Sequence, residues 1–331
     1  MARAELLQAI ATRTADYRAG EIAPPTANHV DRWLSQFPVG IQDSLLQEMN
    51  HVLDKAYFSK SKVTSFLNTL ASNTAKLTGT QPADFWRKAN FLNIQRGGNS
   101  QRHMLMEFSS ALQRHYGLTI EQCGSPDGEY FYLDDVVFSG NRVRHDLEPW
   151  IAEACPNSCK LHIICIAYHS GGQWFAGNKI ADAARAAGKT VRVTWWSCVI
   201  FEDRKTYINR SDVLRPVAFP DDMLTQQYIR HLVDAGFPPI PRVITTPPYV
   251  SSFFSSEDGR QLLEREFLVS GVSIRSRCPR LPDTIKPLGY TGLKTLGFGS
   301  VIVTHRNCPN TCPPALWAGN PWYPLFARRI N

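Results

Sequence analysis

Apolar positions in the first 90 residues recur at helical spacing: Leu6 and Ile10, then Val30, Trp33, Leu34 and Phe37, then Leu45, Leu46, Met49, Val52 and Leu53, then Val63, Phe66, Leu67 and Leu70. Three or four residues between apolar positions put them on one face of a helix. The runs are broken at Pro24-Pro25, at Pro38-Val39-Gly40 and at Ser59-Lys60-Ser61. The pattern predicts a bundle-like helical region over residues 1–90, with no strand in it. A stripe of leucines and aromatics at this spacing faces a core, and no chemistry is assigned to it.

The period changes near residue 90. FLNIQ reads as a short strand, Gly97-Gly98-Asn99-Ser100 as a loop, and the stretch from Gln101, carrying Met104, Met106, Phe108 and Leu112, as a helix. A turn over Gly124–Gly128 leads to an apolar run, Tyr130–Leu133, that ends in two aspartates. A helix over Arg142–Ala154, a buried strand over Leu161–Tyr168, a helix over Asn178–Ala187 stopped by Gly188 and a strand over Thr190–Ser197 follow. Strands alternating with helices imply parallel pairing through right-handed crossovers. The expected class is therefore α/β, a parallel sheet flanked by helices, with a helical N-terminal region and a C-terminal extension.

Past residue 200 the chain is rich in Pro, Ser and Arg. It holds one clear helix, opened by Ser255-Ser256-Glu257-Asp258 and running to Gly271, and a late strand over Phe298–Thr304. The organisation expected is 1–90 helical, 91–215 the α/β core, and 216–331 a C-terminal region packing on and completing that core.

Composition narrows the class. The chain has 331 residues, 43% hydrophobic and 20% charged, enough to bury a large core. No run approaches the ~18 apolar residues of a membrane span, and the N-terminus is amphipathic where a secretory signal would be continuously apolar; the expected location is cytoplasmic, without membrane attachment. Net charge is +7, too thinly spread for a dedicated DNA binder but compatible with a small polyanion. The eight cysteines are expected to be reduced. Cys155/Cys159 and Cys308/Cys312 form CxxxC pairs near His162, His169 and His305, but nothing in the spacing makes the pairs neighbours, and buried thiols are the simpler reading than zinc.

The most informative stretch is Tyr130–Arg142, YFYLDDVVFSGNR. A strand end followed by a helix start aims unpaired backbone N–H groups and the positive end of the helix dipole at one point, which suits a phosphate. Ser139 adds a hydroxyl, and Gly140 allows close approach or positive φ. Asp134 and Asp135 can accept from the 2′ and 3′ hydroxyls of a ribose whose 5′-phosphate sits in the turn, and can help hold Mg²⁺ through water against a pyrophosphate.

This stretch resembles the phosphoribosyl pyrophosphate (PRPP) loop of type I phosphoribosyltransferases: a hydrophobic strand, an acidic pair, two aliphatics, small hydroxyl residues and glycine. Phe138 stands where that signature has a small residue, and Phe131 and Tyr132 replace aliphatics, which argues against an orthodox salvage or biosynthetic enzyme. Over its whole length the chain is similar to the phosphoribosyltransferase-like family of bacterial conflict, or anti-phage, systems. The similarity is carried by FLNIQRGGNSQ, LDDVVFSGNRV, RPVAFP, SSEDGRQLLEREFL, LGFGSVIVTHRNCPN and WYPLF together with the N-terminal helices.

The resemblance implies a type I phosphoribosyltransferase core with Asp134 and Asp135 as the catalytic, Mg²⁺-organising pair and Val136, Val137, Phe138, Ser139, Gly140, Asn141 and Arg142 as the phosphate- and ribose-binding stretch. It also implies PRPP or a nucleotide as substrate, and an effector role in retron-type units beside a reverse transcriptase with its non-coding RNA–DNA, or beside another protein of a defence operon. A nucleotide- or PRPP-sensing module without turnover, or an assembly component, is the alternative.

The second glycine-rich turn stands where that fold places its pyrophosphate loop, so Gly98, Ser100 and Arg102 are diphosphate candidates, against a plain helix cap by Asn99 or Ser100. Arg306, Asn307 and Asn310 offer a cation and two amides for a base or an anion, against a simple Asn/Pro turn. Glu202, Asp203 and Arg204 read foremost as a solvated turn. Arg275, Arg277, Arg280 and Lys286 read as a basic surface segment, and His169 as a structural histidine at a strand end.

Overall fold

In a computed structural model, which describes residues 1–73, 82–204, 207–292 and 295–328, the elements follow one another as α1 (Arg3–Arg13), α2 (Ala27–Leu34), α3 (Gln42–Ala56), β1 (Tyr57–Phe58), α4 (Lys60–Asn73), α5 (Pro82–Lys88), β2 (Asn90–Phe91), α6 (Ser100–Tyr116), β3 (Tyr130–Val137), α7 (Asn141–Glu153), β4 (Ser158–His169), α8 (Ser170–Ala186), β5 (Thr190–Trp196), β6 (Val199–Phe201), α9 (Met223–Asp234), α10 (Glu257–Arg277), β7 (Ile285–Lys286), β8 (Gly289–Tyr290), β9 (Val303–Thr304) and α11 (Pro314–Trp317). The chain divides into two compact units, Ser61–Phe201 and Met1–Lys60 together with Glu202–Asn331. These boundaries fall elsewhere than at 90 and 215. The expected helical region 1–90 includes 74–81, outside the described residues.

The unit over Ser61–Phe201 is a parallel sheet in the order β2-β3-β4-β5, with β6 pairing β4 beyond the end of β5. β4 is central, and its run Leu161–Ala167 is buried on both faces, which is why it is apolar apart from His162 and does not alternate. On one face Tyr132, Leu161, Ile163 and Cys165 pack against Val143, Leu147, Trp150 and Ile151 of α7 and Ala176, Ile180 and Ala184 of α8. On the other face Phe131 meets Trp86 of α5, Phe91 of β2 and, through them, Phe108 of α6. The helices that follow the neighbouring strands β2 and β3 therefore leave on opposite faces. In open α/β sheets such a divergence opens a crevice at the carboxyl ends of the two strands.

Local chemistry sets the ends of these elements. FLNIQ leaves the ladder after Phe91: Asn90 and Leu92 donate to Glu129 and Phe131 carbonyls, but the Ile94 and Gln95 N–H groups are taken by the Gln101 side chain. β3 runs through both aspartates to Val137. α8 starts at Ser170, eight residues before the expected Asn178, because His169 caps it and Gly171-Gly172 continue the helix.

The unit over Met1–Lys60 and Glu202–Asn331 is built of helices and irregular chain. α3 packs with α10, and β1 pairs in parallel with β9, Tyr57 opposite Val303 and Phe58 opposite Thr304. Trp33 donates from Nε1 to the Ala315 carbonyl at 2.8 Å, and Tyr17 donates to Ala327 at 3.0 Å. Arg260, fully buried, donates to Glu264 at 2.8 Å and to the Ser211 and Val213 carbonyls, pinning α10 to the chain beside it. Three expectations change here. β1 is a strand in a region read as wholly helical. The strand over 298–304 shrinks to Val303–Thr304, because Gly299 takes positive φ and pairs with Leu214 and Leu288. α9, capped by Asp222 on the Thr225 N–H, is a second clear helix beyond residue 200. Among the described residues no helix is long and apolar enough to cross a membrane.

Candidate functional site

Two turns meet at the carboxyl end of β2 and β3. The first, Phe138-Ser139-Gly140, carries β3 into α7. Gly140 is the N-cap at φ +72°, a left-handed conformation that an L side chain resists, and a Cβ there would collide with the Gly172 carbonyl oxygen. Gly172 in turn lies so close to the Phe138 carbonyl that it has no room for a Cβ. The first turn of α8 thus lies backbone to backbone against this loop, which leaves the N–H groups at the start of α7 pointing out of a fixed frame. Ser139 accepts from the Asn141 N–H at 3.3 Å. Phe138, the departure from the small-residue signature, is only 5% exposed, its ring 5.8 Å from Phe201 and 6.1 Å from His169. The aromatic ring sits in the core beneath the loop, so the backbone of the turn keeps the short path that a small residue would allow.

The second turn, 92–99, carries β2 into α6. Asn99 is the N-cap without a side-chain cap bond; Gln95 Oε1 accepts from the Gln101 N–H at 3.2 Å instead. Gly98 has φ +81°. Arg96, Gly97, Gly98 and Asn99 form the exposed tip, and Arg102 is exposed on the first turn of α6.

The structure brings the two turns together. Ser100 hydrogen-bonds the Asp134 carboxyl, and Arg142 Nη1 lies 3.8 Å from where a Gly97 Cβ would stand. Asp134 and Asp135, Ser139–Arg142, and Gly98, Ser100 and Arg102 are therefore in one neighbourhood. Asp134 is 3% exposed; Asp135 is half-buried. Burial first, and the Asp135 charge second, push the Asp134 carboxyl up to about 7, against the Ser100 and Asp135 N–H hydrogen bonds that favour its ionised form. Tyr132 donates to Asp146 at 2.8 Å on the same face of the sheet, and burial also raises Asp146. The site is thus a buried acidic floor with an exposed rim of Arg96, Arg102 and Arg142. A cationic rim over two helix N-termini attracts a ligand with more than one phosphate, and the two carboxylates offer acceptors to hydroxyls or a hydrated cation between them.

Arg306, Asn307 and Asn310 belong to the other unit, in a tight turn after β9 where Thr304 and Asn307 exchange backbone hydrogen bonds and the Asn310 carbonyl accepts from Tyr290. Glu202 pairs with Arg204 at 2.7 Å and Asp203 with Arg215 at 3.3 Å. Arg275 reaches Asp283 and Arg277 reaches Ser273. His169 is buried and accepts the Gly171 N–H as the cap of α8. His162 accepts from Trp196 Nε1 at 2.9 Å and faces Glu129 at 2.6 Å. Cys155 and Cys159 sulfurs stand 3.5 Å apart in one unit, while Cys308 and Cys312 lie in the other. No cluster of three or more His, Cys, Asp or Glu side chains that could hold a metal occurs among the described residues.

Sequence reading missed Arg96, Gln95 and Gln101. Arg96 sits inside the quoted FLNIQRGGNSQ and was legible as a second cation in a glycine-rich turn. The two glutamines act on backbone across the turn, which no spacing rule reveals.

A family model, PRTase-CE, matches residues 30–328, from α2 to the last described residue. The chain belongs to the PRTase-CE family. Its matched span takes in both turns and most of each unit, and the protein is phosphoribosyltransferase-like in its family and in its helix-flanked parallel sheet. No curated protein and no solved structure matches this PRTase-CE chain.

Proposed function

We propose that this PRTase-CE protein binds a ribosyl phosphate carrying a second phosphate group, PRPP or a nucleotide, and transfers or cleaves at the ribose. The observation that carries the reading is the meeting of the two turns, Ser100 on Asp134 and Arg142 beside Gly97, from strands whose helices diverge. The start of α7, with Ser139 and Arg142, takes the 5′-phosphate. The 96–99 tip, with Ser100 and Arg102, takes the diphosphate, and Asp135 with Asp134 orients the ribose hydroxyls. A pair of carboxylates suits Mg²⁺, which keeps several waters and takes its remaining oxygens from ligand phosphates. When bound, the ion supplies positive charge against a departing diphosphate.

Ribosyl transfer passes through an oxocarbenium-like sugar, so the protein's part is to hold both phosphates at a fixed separation and to place negative charge beneath the ring. His169, whose ring lies 6.1 Å from that of Phe138 in the first turn, uses its Nδ1 to cap α8. This chemistry needs positioning more than a general base.

The test is calorimetric titration of PRPP with Mg²⁺ into wild type and Asp134→Asn/Asp135→Asn, followed by chromatography for released pyrophosphate. Binding lost in the double variant supports the assignment; wild type that binds neither PRPP nor any of a nucleotide panel refutes it. Binding without product over long incubation selects a sensing module over an enzyme. An effector role in defence follows from the wider resemblance, and an unchanged nucleotide pool and normal growth on strong expression under phage challenge would end that part of the reading.

A further inference from the structure

We infer that Gln101 is a positioning residue that holds the 94–99 turn in its anion-receiving shape. This rests on the reading of that turn as a diphosphate cradle. Gln101 is fully buried on the first turn of α6. Its Oε1 accepts from the Ile94 and the Gln95 N–H, both at 2.8 Å, so both lone pairs of the amide oxygen are used on consecutive peptide groups. Gln95 answers across the turn, its Oε1 accepting from the Gln101 N–H at 3.2 Å. The two side chains thus close the base of the loop reciprocally. What remains outside the clasp is the tip Arg96-Gly97-Gly98-Asn99, held against Arg142, while Ser100 is delivered to Asp134.

The other end of the same amide argues that this clasp serves shape more than stability. Gln101 Nε2 is buried without a hydrogen-bond partner among the described residues, a desolvation cost that a leucine of similar bulk would avoid. Packing alone does not call for glutamine here. An acceptor that two neighbouring N–H groups share does call for it: aspartate and asparagine are one methylene short, and leucine has no oxygen. A turn closed before the ligand arrives does not have to be ordered by it, and that saving appears as affinity.

The experiment compares Gln101→Leu, Gln101→Glu and Leu112→Ala in the full chain. Leu112 is a fully buried core residue of α6 that controls for general loss of stability. Hydrogen exchange of the Ile94 and Gln95 amides is read without ligand; calorimetry then uses PRPP with Mg²⁺ and inorganic pyrophosphate with Mg²⁺ as probes. The expected result for Gln101→Leu is at least tenfold faster exchange at both amides and at least tenfold weaker binding of both probes. Its melting temperature should fall less than that of Leu112→Ala, whose affinities stay within twofold of wild type. Gln101→Glu, which keeps two oxygen acceptors, should retain most of the amide protection. Unchanged exchange in Gln101→Leu overturns the clasp, and equal loss of affinity in Leu112→Ala overturns the positioning role. If wild type binds neither probe nor any of the nucleotide panel, the functional reading of the site fails, and with it the anion cradle, while the exchange comparison decides the clasp separately.

Discussion

The turns after β2 and β3 are held in shape by different physics. The 138–140 turn is short and mostly buried, and it is shaped by exclusion: Gly140 and Gly172 leave no space between two backbones, so the chain has one path. The 92–99 turn is longer and exposed at its tip, and it is shaped by attraction, two glutamine side chains standing in for ladder hydrogen bonds. Exclusion tolerates no added atom but needs no partner, whereas attraction tolerates atoms and fails when one acceptor is lost. The first turn should therefore be the rigid member of the site and the second the adjustable one.

The sharpest way to break the comparison is to add one methyl group to each. Gly172→Ala places a Cβ against the Phe138 carbonyl, and Gly140→Ala adds the strain of φ +72° to a clash with Gly172. Each should cost roughly 3 kcal/mol and show as a large fall in melting temperature together with loss of PRPP binding.

Next in size is the acidic floor beneath the two turns. The Asp134 carboxyl is raised from 3.8 to about 7 in the folded protein, so between those values the native state holds a proton that the unfolded chain has released, and stability falls as pH rises through this window. Asp134→Asn should flatten that fall, raising stability at pH 8 by a few kcal/mol and leaving it nearly unchanged below pH 4, while abolishing ligand binding. Thermal melts of both proteins across pH 4–9 read it directly.

Arg142, exposed and shared by the two turns, contributes charge and little packing. Arg142→Gln should weaken PRPP binding about tenfold, or ~1.4 kcal/mol, reduce its salt dependence and leave the melting temperature alone. The smallest effect belongs to Gly98→Ala. Gly98 shares a positive φ with Gly140, but the nearest atom to its absent Cβ is Gln95 Oε1 at 3.8 Å. Only the conformational cost of about 1 kcal/mol is expected, from denaturant unfolding. A Gly98→Ala loss as large as that of Gly140→Ala would show that the second turn is also closed by exclusion.

The legible parts of this protein are those whose signal is local. YFYLDDVVFSGNR announces a strand, a turn and a helix start, and the structure has β3, Phe138–Gly140 and α7 there. GGNSQ announces a turn opening a helix, and α6 begins at Ser100. β1 was not legible, because two residues carry no period and their partner, β9, is far along the chain. The joining of residues 1–60 with 202–331 in one unit was not legible for the same reason: Trp33 on Ala315 and Tyr17 on Ala327 are contacts between side chain and distant backbone. α9 was missed because its polar residues, Thr225, Gln226 and Gln227, mask the Ile229 and Leu232 face.

By itself the sequence determined the α/β class, the alternation of strands and helices from residue 90 to 200, and the glycine-bearing turns that open α6 and α7, because periodicity, capping and glycine placement act over a few residues. The tertiary structure alone decided that helices after β2 and β3 leave on opposite faces, that the two turns share Ser100, Asp134, Gly97 and Arg142, and that Gln101 closes one of them. Those outcomes depend on which strands become neighbours and which side chains lose water together, and such choices belong to the packed chain as a whole.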